Sequence, residues 1–117
     1  MSRTIAPIYA FATKQFVVSV VALEEYDLDL SWDETGETEK ALLNGTAVAF
    51  CARATVTDRQ GRVLACDYLG GCVYNDLKDF RTSGGTYKQG YFVDLVMTVC
   101  REARKTLRAH ASIYLRV

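Results

Sequence analysis

Two adjoining stretches of this chain have apolar and polar patterns that predict β-strand. Residues 16–23 are almost entirely apolar, and residues 26–33 alternate strictly between apolar and polar. Both patterns are typical of strands. The apolar positions of the two stretches are all even-numbered, so we expect one long or gently bent strand that buries them on a single face. These positions are Phe16, Val18, Val20, Ala22, Tyr26, Leu28, Leu30 and Trp32.

A β-hairpin is predicted between residues 46–57 and 62–68, around a turn that ends at Gly61. We expect Asp58 to pair with Arg62, because apolar side chains then meet apolar ones and Arg53 meets an acid, whereas a one-residue slip would mix the faces. The expected pairs are Val56 with Leu64, Ala54 with Cys66, Ala52 with Tyr68 and Arg53 with Asp67. In this register Cys51 and Cys66 point to opposite faces.

Apolar residues at three- and four-residue steps predict one long C-terminal helix. They are Phe92, Leu95, Val96, Val99, Cys100, Ala103 and Leu107. Shorter helices are predicted at residues 37–44, which end in Asn44-Gly45, and at residues 75–80. The tail, residues 111–117, alternates and predicts a final edge strand. Residues 5–12 are too short an apolar run for a secretory core, so we expect them to be part of the fold.

This order of elements implies a single α+β domain over residues 1–117. We expect an antiparallel three- to four-stranded β-sheet packed against a long C-terminal α-helix, with one or two short helices. The chain has 117 residues, of which half are hydrophobic and only one is proline. This length and composition are sufficient for one hydrophobic core without disulfides or a structural metal. No apolar run approaches the ~18 to 20 residues of a membrane span, so a soluble protein without a membrane partner is expected.

Charge is distributed very unevenly along a chain whose formal net charge is zero. Residues 24–39, here called the acidic segment, contain no Lys or Arg before Lys40 and carry many of the acids: Glu24, Glu25, Asp27, Asp29, Asp33, Glu34, Glu37 and Glu39. Basic residues predominate in the last third of the chain. Such a layout predicts a molecule with two oppositely charged ends and bears on its partners more than on its fold.

The acidic segment has three interpretations. Its acids are compatible with a solvated strand edge that resists association with other edges. A calcium loop beginning at Asp27 or Asp29 does not fit, because from Asp27 the required Gly falls on Trp32 and the bidentate Glu on Thr38. The third interpretation is a phosphate-like row: alternate strand residues lie about 6.5 to 7 Å apart, so Asp27, Asp29 and Asp33 would suit a basic groove that receives nucleic acid.

The opposite, basic part of the chain provides an alternative nucleic-acid-binding site. Four bases of the long helix, which we call the basic flank, and one base of the preceding Gly-rich loop form it: Arg101, Arg104, Lys105 and Arg108, with Lys88. Basic residues near a helix C-terminus also complement the helix dipole without any ligand. The loop, residues 81–90, does not match the P-loop spacing and is interpreted as a connection.

Catalytic chemistry is not indicated by the residue types present. The chain has one His, no Cys-x-x-Cys and no His-x-x-x-His, so we predict no enzyme, no catalytic residues, no metal site and no cofactor. A zinc site built from Cys66, Cys72, Cys100 and His110 would have a spacing unlike the common zinc families. Four cysteines without an export signal favour reduced, buried thiols in a cytosol.

Three short segments resemble a pattern in small, functionally unassigned proteins of bacterial phages and mobile elements. They are residues 67–74 (Asp-Tyr-Leu-Gly-Gly-Cys-Val-Tyr), Asp79-Phe80, and residues 90–94 (Gly-Tyr-Phe-Val-Asp) leading to Glu102-Ala103-Arg104. Size, lack of a catalytic set and concentrated acids are also similar to phage-encoded inhibitors of host defence, especially anti-CRISPR proteins. This resemblance implies a cytoplasmic protein of a bacterial host that acts by occupying a protein surface.

Together these observations predict a non-enzymatic inhibitor of a host defence (CRISPR-Cas-like) complex. We expect its acidic segment to cover a basic nucleic-acid-binding site, with Trp32, Tyr26 and Leu30 as apolar anchors of the contact. The alternative is a regulator that binds nucleic acid directly through the basic flank and the Gly-rich loop. Open strand edges are also compatible with a homodimer.

Overall fold

The computed structural model describes residues 3–25, 28–82 and 90–115 and shows an α+β fold, as predicted. Along these residues the elements are β1 (Thr4–Ala12), β2 (Phe16–Glu24), α1 (Glu37–Leu43), β3 (Val48–Asp58), β4 (Val63–Tyr74), α2 (Leu77–Thr82) and α3 (Gly90–Leu115). The strands form one antiparallel sheet in the order β1-β2-β3-β4. Helix α3 covers one face of this sheet.

Strand β2 buries its even-numbered residues, which confirms the first half of the predicted strand. Phe16, Val18, Val20 and Ala22 are all buried and face the helical layer. Their neighbours in β3 are aligned without a slip along the whole β2–β3 pair. The even face of β2 is therefore the centre of the core.

The prediction that this strand continues to residue 33 was wrong. Strand β2 ends at Glu24, residues 28–30 are irregular, and Trp32 lies in a turn with 60% of its surface exposed. Local hydrogen bonds replace the ladder here: Asp29 Oδ1 accepts the Ser31 N–H, and the Asp33 N–H donates to the Leu30 carbonyl. Short polar side chains compete with strand pairing in this way. Tyr26 and Asp27 lie outside the described residues.

Residues 5–12 belong to β1, an edge strand of the sheet. Its pairing with β2 has two irregularities, one of them beside Pro7. Proline cannot donate to a strand ladder and is therefore tolerated at such an edge position. Tyr9 and Phe11 of β1 pack against the core.

The predicted hairpin forms, but its register is correct only next to the turn. The Asp58 N–H donates to the Arg62 carbonyl, and Thr57 pairs with Val63. Beyond them an extra residue, Leu64, shifts the pairing by one. The predicted pairs beyond the turn were therefore wrong; the observed ones are Val56 with Ala65, Ala54 with Asp67, Arg53 with Tyr68 and Ala52 with Leu69.

This β-bulge exchanges the two faces of β4. Ala65 and Leu69 pack against the core, whereas Cys66 and Tyr68 are exposed on the open face. Cys51 and Cys66 thus do not face opposite sides, contrary to the prediction. A hydrophobic pattern cannot reveal this because Leu64 itself remains buried, and its carbonyl accepts the Thr106 hydroxyl at 3.1 Å.

A second irregularity restores the original faces at Gly70-Gly71. Ala52 pairs with Leu69, but Phe50 pairs with Cys72, so β4 has an additional residue here. Gly71 has φ of 69°, a left-handed conformation that glycine adopts without a steric penalty. Cys72 is buried again after this bulge.

The helices complete the core largely as predicted. On α3, the buried residues are Phe92, Leu95, Val99, Cys100 and Ala103. Phe80 of α2 is 1% exposed and its ring meets those of Phe50, Tyr74 and Phe92 edge-on, with centroids 5.4–5.7 Å apart. Helix α1 ends at Leu43 before Asn44 and Gly45, as expected, and buries no residue.

The predicted C-terminal strand was wrong for residues 111–115, which continue α3 to Leu115. No Gly or Pro follows the basic flank, so nothing in the sequence ends the helix there. Arg116 and Val117 lie outside the described residues. Among the described residues, no helix is both long and apolar enough to cross a membrane.

Candidate functional site

The acidic segment begins at the end of β2 and continues through the irregular residues 28–36 into α1. Glu24 and Glu25 are half-buried beside the sheet. Asp29, Glu34, Glu37 and Glu39 are exposed, and Asp33 is half-buried. Asp27 lies outside the described residues. The segment is therefore largely a surface feature of the region that projects from the sheet.

Three of its carboxylates are used to shape the chain. Glu25 Oε2 accepts the Gly71 N–H at 2.9 Å and so holds the second bulge of β4. Asp33 accepts the N–H groups of Thr38 at 3.4 Å and Glu39 at 3.1 Å, which caps the N-terminus of α1. The pKa of Asp29 lies below its usual range because the Ser31 backbone and side chain donate hydrogen bonds to it. These acids were predicted only as members of a charged surface.

Three exposed acids of the segment, Glu34, Glu37 and Glu39, present unneutralised charge. Within the described chain, leaving Glu24 aside, no carboxylate of the acidic segment forms an ion pair with Lys or Arg. Three described bases lie at the same end: Lys40 in α1, Lys78 at the start of α2 directly after β4, and Arg3, whose carbonyl accepts the Glu24 N–H. They are outnumbered by the acids of the segment, so this end of the molecule is negative.

The regular row of acids expected on the outer face of a strand does not form. That row required residues 26–33 to be extended, and the turn at Ser31 and Trp32 interrupts them. Asp33 is also turned towards α1 as its cap. This surface therefore does not have the spacing of successive phosphates, but it does have a high density of negative charge.

Trp32 lies at the junction of the acidic segment and the sheet. Its side chain lines a cavity of about 320 Å³ with residues 69–74 of β4 and with Tyr91, the second residue of α3. It also lines a neighbouring cavity of about 270 Å³ with Glu37, Thr38 and Ala41 of the α1 region. Leu30, the other described anchor residue, is half-buried. An exposed indole beside carboxylates is a suitable anchor for a protein partner.

The basic flank lies at the other end of the molecule. All four of its residues, Arg101, Arg104, Lys105 and Arg108, are exposed on α3. Thr106, within this part of α3, bonds to Leu64 near the start of β4, whereas Trp32 lies beside Val73 and Tyr74 at its end. At ~3.3 Å per residue the two places are about 30 Å apart. Lys88 lies outside the described residues.

Three of the four thiols are in surroundings that disfavour the thiolate, whereas Cys66 is exposed. Burial raises the pKa of Cys72 to about 12 and also raises the pKa values of Cys51 and Cys100. Since only the thiolate attacks, these three groups are unreactive near neutral pH. Among the residues that the structure describes, no three His, Cys, Asp or Glu side chains are close enough to hold a metal ion.

Sequence reasoning missed the part that β4 plays in this site. The second strand of the hairpin was predicted to end at residue 68, but β4 continues to Tyr74 through a bulge at Gly70-Gly71 that Glu25 holds. Tyr91 and Asp94 also border the cavities beside β4. A glycine pair inside an otherwise apolar run is a signal for such a bulge.

Comparisons of this chain with protein-family models, with curated proteins and with solved structures found no match in any of the three. Its function is therefore argued from the geometry of its own surfaces.

Proposed function

We propose that this protein is a small, non-enzymatic binding protein whose acidic segment occupies a basic, nucleic-acid-binding surface of a host protein or nucleoprotein complex. The observation that carries this proposal is the concentration of exposed carboxylates, none of them in an ion pair with a described residue, at one end of the molecule around the exposed indole of Trp32. Charge of this kind steers a protein towards a partner of opposite sign and fixes its orientation.

The separation of charge supports this mode of binding. The basic flank begins about 15 Å along α3 from Tyr91, which lines the Trp32 cavity, and reaches about 30 Å along β4 at Thr106. Both distances exceed the distance of about 8 Å over which charges act in water at physiological salt, so the flank does not neutralise the acidic segment. Trp32 supplies apolar area within the charged surface, and interfaces are commonly anchored by such a residue. The sequence resemblance to phage-encoded inhibitors makes the basic nucleic-acid channel of a CRISPR-Cas-like complex the first partner to test.

Direct binding of nucleic acid through the basic flank is the second candidate function. One observation favours it: three exposed guanidinium groups and an ammonium follow each other along α3, where phosphates of a duplex could contact several of them. Only Lys105 among them is in an ion pair with a described residue, Glu102, at 3.4 Å.

Two double variants separate the candidates. Glu34→Lys/Glu39→Lys reverses two exposed acids that form no ion pair with a described residue, and Arg104→Glu/Arg108→Glu reverses two bases of the basic flank. Binding to purified CRISPR-Cas-like complexes and to a DNA duplex is measured at several salt concentrations. The proposal expects the acidic double variant to weaken binding to the complexes about tenfold or more, equivalent to about 1.4 kcal/mol, with a shallower salt dependence.

The basic double variant is the matched control, and it should bind those complexes as the parent does. If instead the parent binds the duplex and only the basic double variant loses this binding, the second candidate function is correct. Unchanged binding of the acidic double variant to every complex that the parent binds contradicts the first.

A further inference from the structure

Strand β4 is a free edge of the sheet. Its only strand partner among the described residues is β3. It runs for 12 residues without Lys or Pro, whereas the other edge, β1, contains Pro7. Two bulges interrupt β4, at Leu64 and at Gly70-Gly71, and residues 65–69 between them pair with β3 in one unbroken register. An unprotected edge presents backbone N–H and C=O groups to which another extended chain can pair.

A continuous groove follows this edge. Three cavities of about 180, 320 and 270 Å³ share lining residues in sequence: the first and second share Leu69 and Tyr91, and the second and third share Trp32, Val73 and Tyr74. We call them together the β4 groove. Eight residues of β4, 67–74, border it, so its length suits an extended segment of about six to eight residues at ~3.3 Å each.

The β4 groove is acidic and aromatic. Its charged lining residues are Asp67 and Asp94 at one end and Glu37 at the other, and no Lys or Arg is among its described lining residues. Trp32 and Tyr91 are 60% and 47% exposed beside it. Carboxylates and ring faces are the groups that attract Lys and Arg side chains.

Asp67 covers part of the edge in the free protein. Its Oδ1 accepts the N–H of Tyr68 at 2.9 Å, and both residues border the groove. A cation entering the groove competes for this carboxylate and thereby releases a backbone donor for pairing. The glycines at residues 70 and 71 place no side chain across the middle of the groove.

We propose that the β4 groove binds an extended, Lys- or Arg-containing segment of a protein partner, which pairs with β4 as a fifth strand. Strand addition uses main-chain hydrogen bonds for affinity and alternate side chains for specificity. This inference rests on the proposed function only in that the partner is basic. A second copy of the chain is a poorer occupant, because the described charged lining residues at both ends of the groove are acids, so two β4 edges would bring like charges together in either direction.

Short labelled peptides test the proposal directly. The probe is a peptide of about eight residues that alternates Lys and Val, compared with one that alternates Glu and Val. Two further Lys-Val peptides are N-methylated on every second amide, one on the Lys and one on the Val residues, so that each loses the donors of one edge. Fluorescence anisotropy measures their binding to the intact protein.

Strand addition predicts that the Lys-Val peptide binds, the Glu-Val peptide does not, and one N-methylated peptide loses affinity about tenfold or more while the other keeps it. Equal binding of both N-methylated peptides overturns the proposal, because contact would then be electrostatic alone. Absence of binding at about 1 mM also overturns it. So does a stable dimer by sedimentation that the peptide cannot dissociate.

Variants distinguish this inference from the proposed function. Asp67→Asn/Asp94→Asn removes the charge of the groove, and Glu34→Lys/Glu39→Lys changes acids that do not line it. We expect Asp67→Asn/Asp94→Asn to weaken binding of the Lys-Val peptide about tenfold, and Glu34→Lys/Glu39→Lys to leave this binding nearly unchanged. If Glu34→Lys/Glu39→Lys weakens binding to a partner complex but Asp67→Asn/Asp94→Asn does not change binding of the Lys-Val peptide, the inference fails and the proposed function stands. If Asp67→Asn/Asp94→Asn weakens binding of the peptide but Glu34→Lys/Glu39→Lys does not change binding to a partner complex, the inference stands and the proposed function fails.

Discussion

At the scale of single residues, Asp33 and Asp58 show that a carboxylate in this chain can organise backbone as well as carry surface charge. Asp33 accepts two N–H groups at the start of α1, and Asp58 accepts the N–H groups of Gln60 and Arg62 in the hairpin turn. Glu34, by contrast, has an exposed side chain in the same acidic segment. Residue type alone does not separate these roles.

Asp33→Ala is expected to loosen α1 without unfolding the sheet. The substitution removes the acceptor of two N–H groups in the first turn of the helix, worth about 1 kcal/mol, and α1 buries no residue that would hold it in place. Hydrogen exchange of the amides of residues 40–43 should accelerate about fivefold, with β2 unchanged. The control is Glu34→Ala, and equal exchange in the two variants would contradict a capping role.

Asp58 is expected to make the stability of the hairpin depend on acid pH. Hydrogen bonds from the Arg62 backbone, together with its guanidinium at 2.7 Å, lower the pKa of Asp58. A carboxyl group whose pKa is lower in the folded than in the unfolded state stabilises the fold at pH values above its unfolded pKa of about 3.9. This stabilisation is lost as the pH falls through the folded-state pKa.

Thermal unfolding between pH 7 and about pH 2 measures this contribution. The Tm of Asp58→Asn should be lower than that of the parent at pH 7 and approach it at the acid end, whereas Glu34→Gln should follow the parent throughout. A constant difference across the range would show that Asp58 does not act through its ionised form.

At the scale of elements, β4 is defined by its two bulges. The first, at Leu64, exchanges the faces of the strand, and the second, at Gly70-Gly71, restores them. Between the bulges the side chain of Tyr68 reaches the open face beside Arg53 instead of the core. The edge next to the acidic segment therefore has a shape that strict alternation would not produce.

Gly71→Ala is expected to lower the free energy of unfolding by about 1–2 kcal/mol. A Cβ at this position meets no atom within 4 Å, so the cost comes from the left-handed backbone at φ of 69°. Gly70→Ala is the matched control: its Cβ would lie 3.3 Å from Glu25 Oε2, the end of a flexible side chain, and should cost less. Urea unfolding compares them, and equal losses would contradict the assigned conformation.

Helix α3 offers a comparison between its two faces. Val99 is 1% exposed against the sheet, and Val93 is 47% exposed on the outer side. Val99→Ala should destabilise by about 2 kcal/mol through lost burial and a residual cavity. Val93→Ala should be neutral or stabilise by about 0.5 kcal/mol, because Ala has the higher helix propensity. If urea unfolding showed a similar loss of unfolding free energy in both variants, α3 would have to be covered on both faces.

The sequence predicted the elements whose burial follows a simple period. The predictions of a buried even face on β2 and of an apolar stripe on α3 were correct, because these two surfaces pack against each other in the core. Two of the failures share one cause: the conformations of residues 28–33 and of the Gly70-Gly71 bulge depend on Asp29, Asp33 and Glu25 bonding to particular backbone groups. Such bonds leave no periodic signal.

At the scale of the whole molecule, the helical layer lies on one face of the sheet only, which makes the protein elongated. Helix α3 alone is about 39 Å long at 1.5 Å per residue, and the molecule extends over 62 × 33 × 22 Å. This length is what keeps the acidic segment apart from the basic flank.

Small-angle scattering should therefore give a radius of gyration near the 16.9 Å of the Cα atoms. A compact domain of this chain length has a radius of about 13 Å. The elongation arises from the protruding α1 region and the length of α3, so a measured value of about 13 Å would contradict the separation of the two charged ends. The forward intensity also reports whether the protein is a monomer.

The sequence by itself determined the α+β class, the core stripes and the uneven charge, because burial and charge are properties that residue types carry with them wherever they are placed. Only the tertiary structure decided which acids are exposed and which hold backbone, since that depends on N–H groups of residues distant in sequence, such as Gly71 for Glu25. It also decided that the aromatic and acidic residues of the β4 groove lie along one strand edge, because two bulges and the start of α3 bring them together.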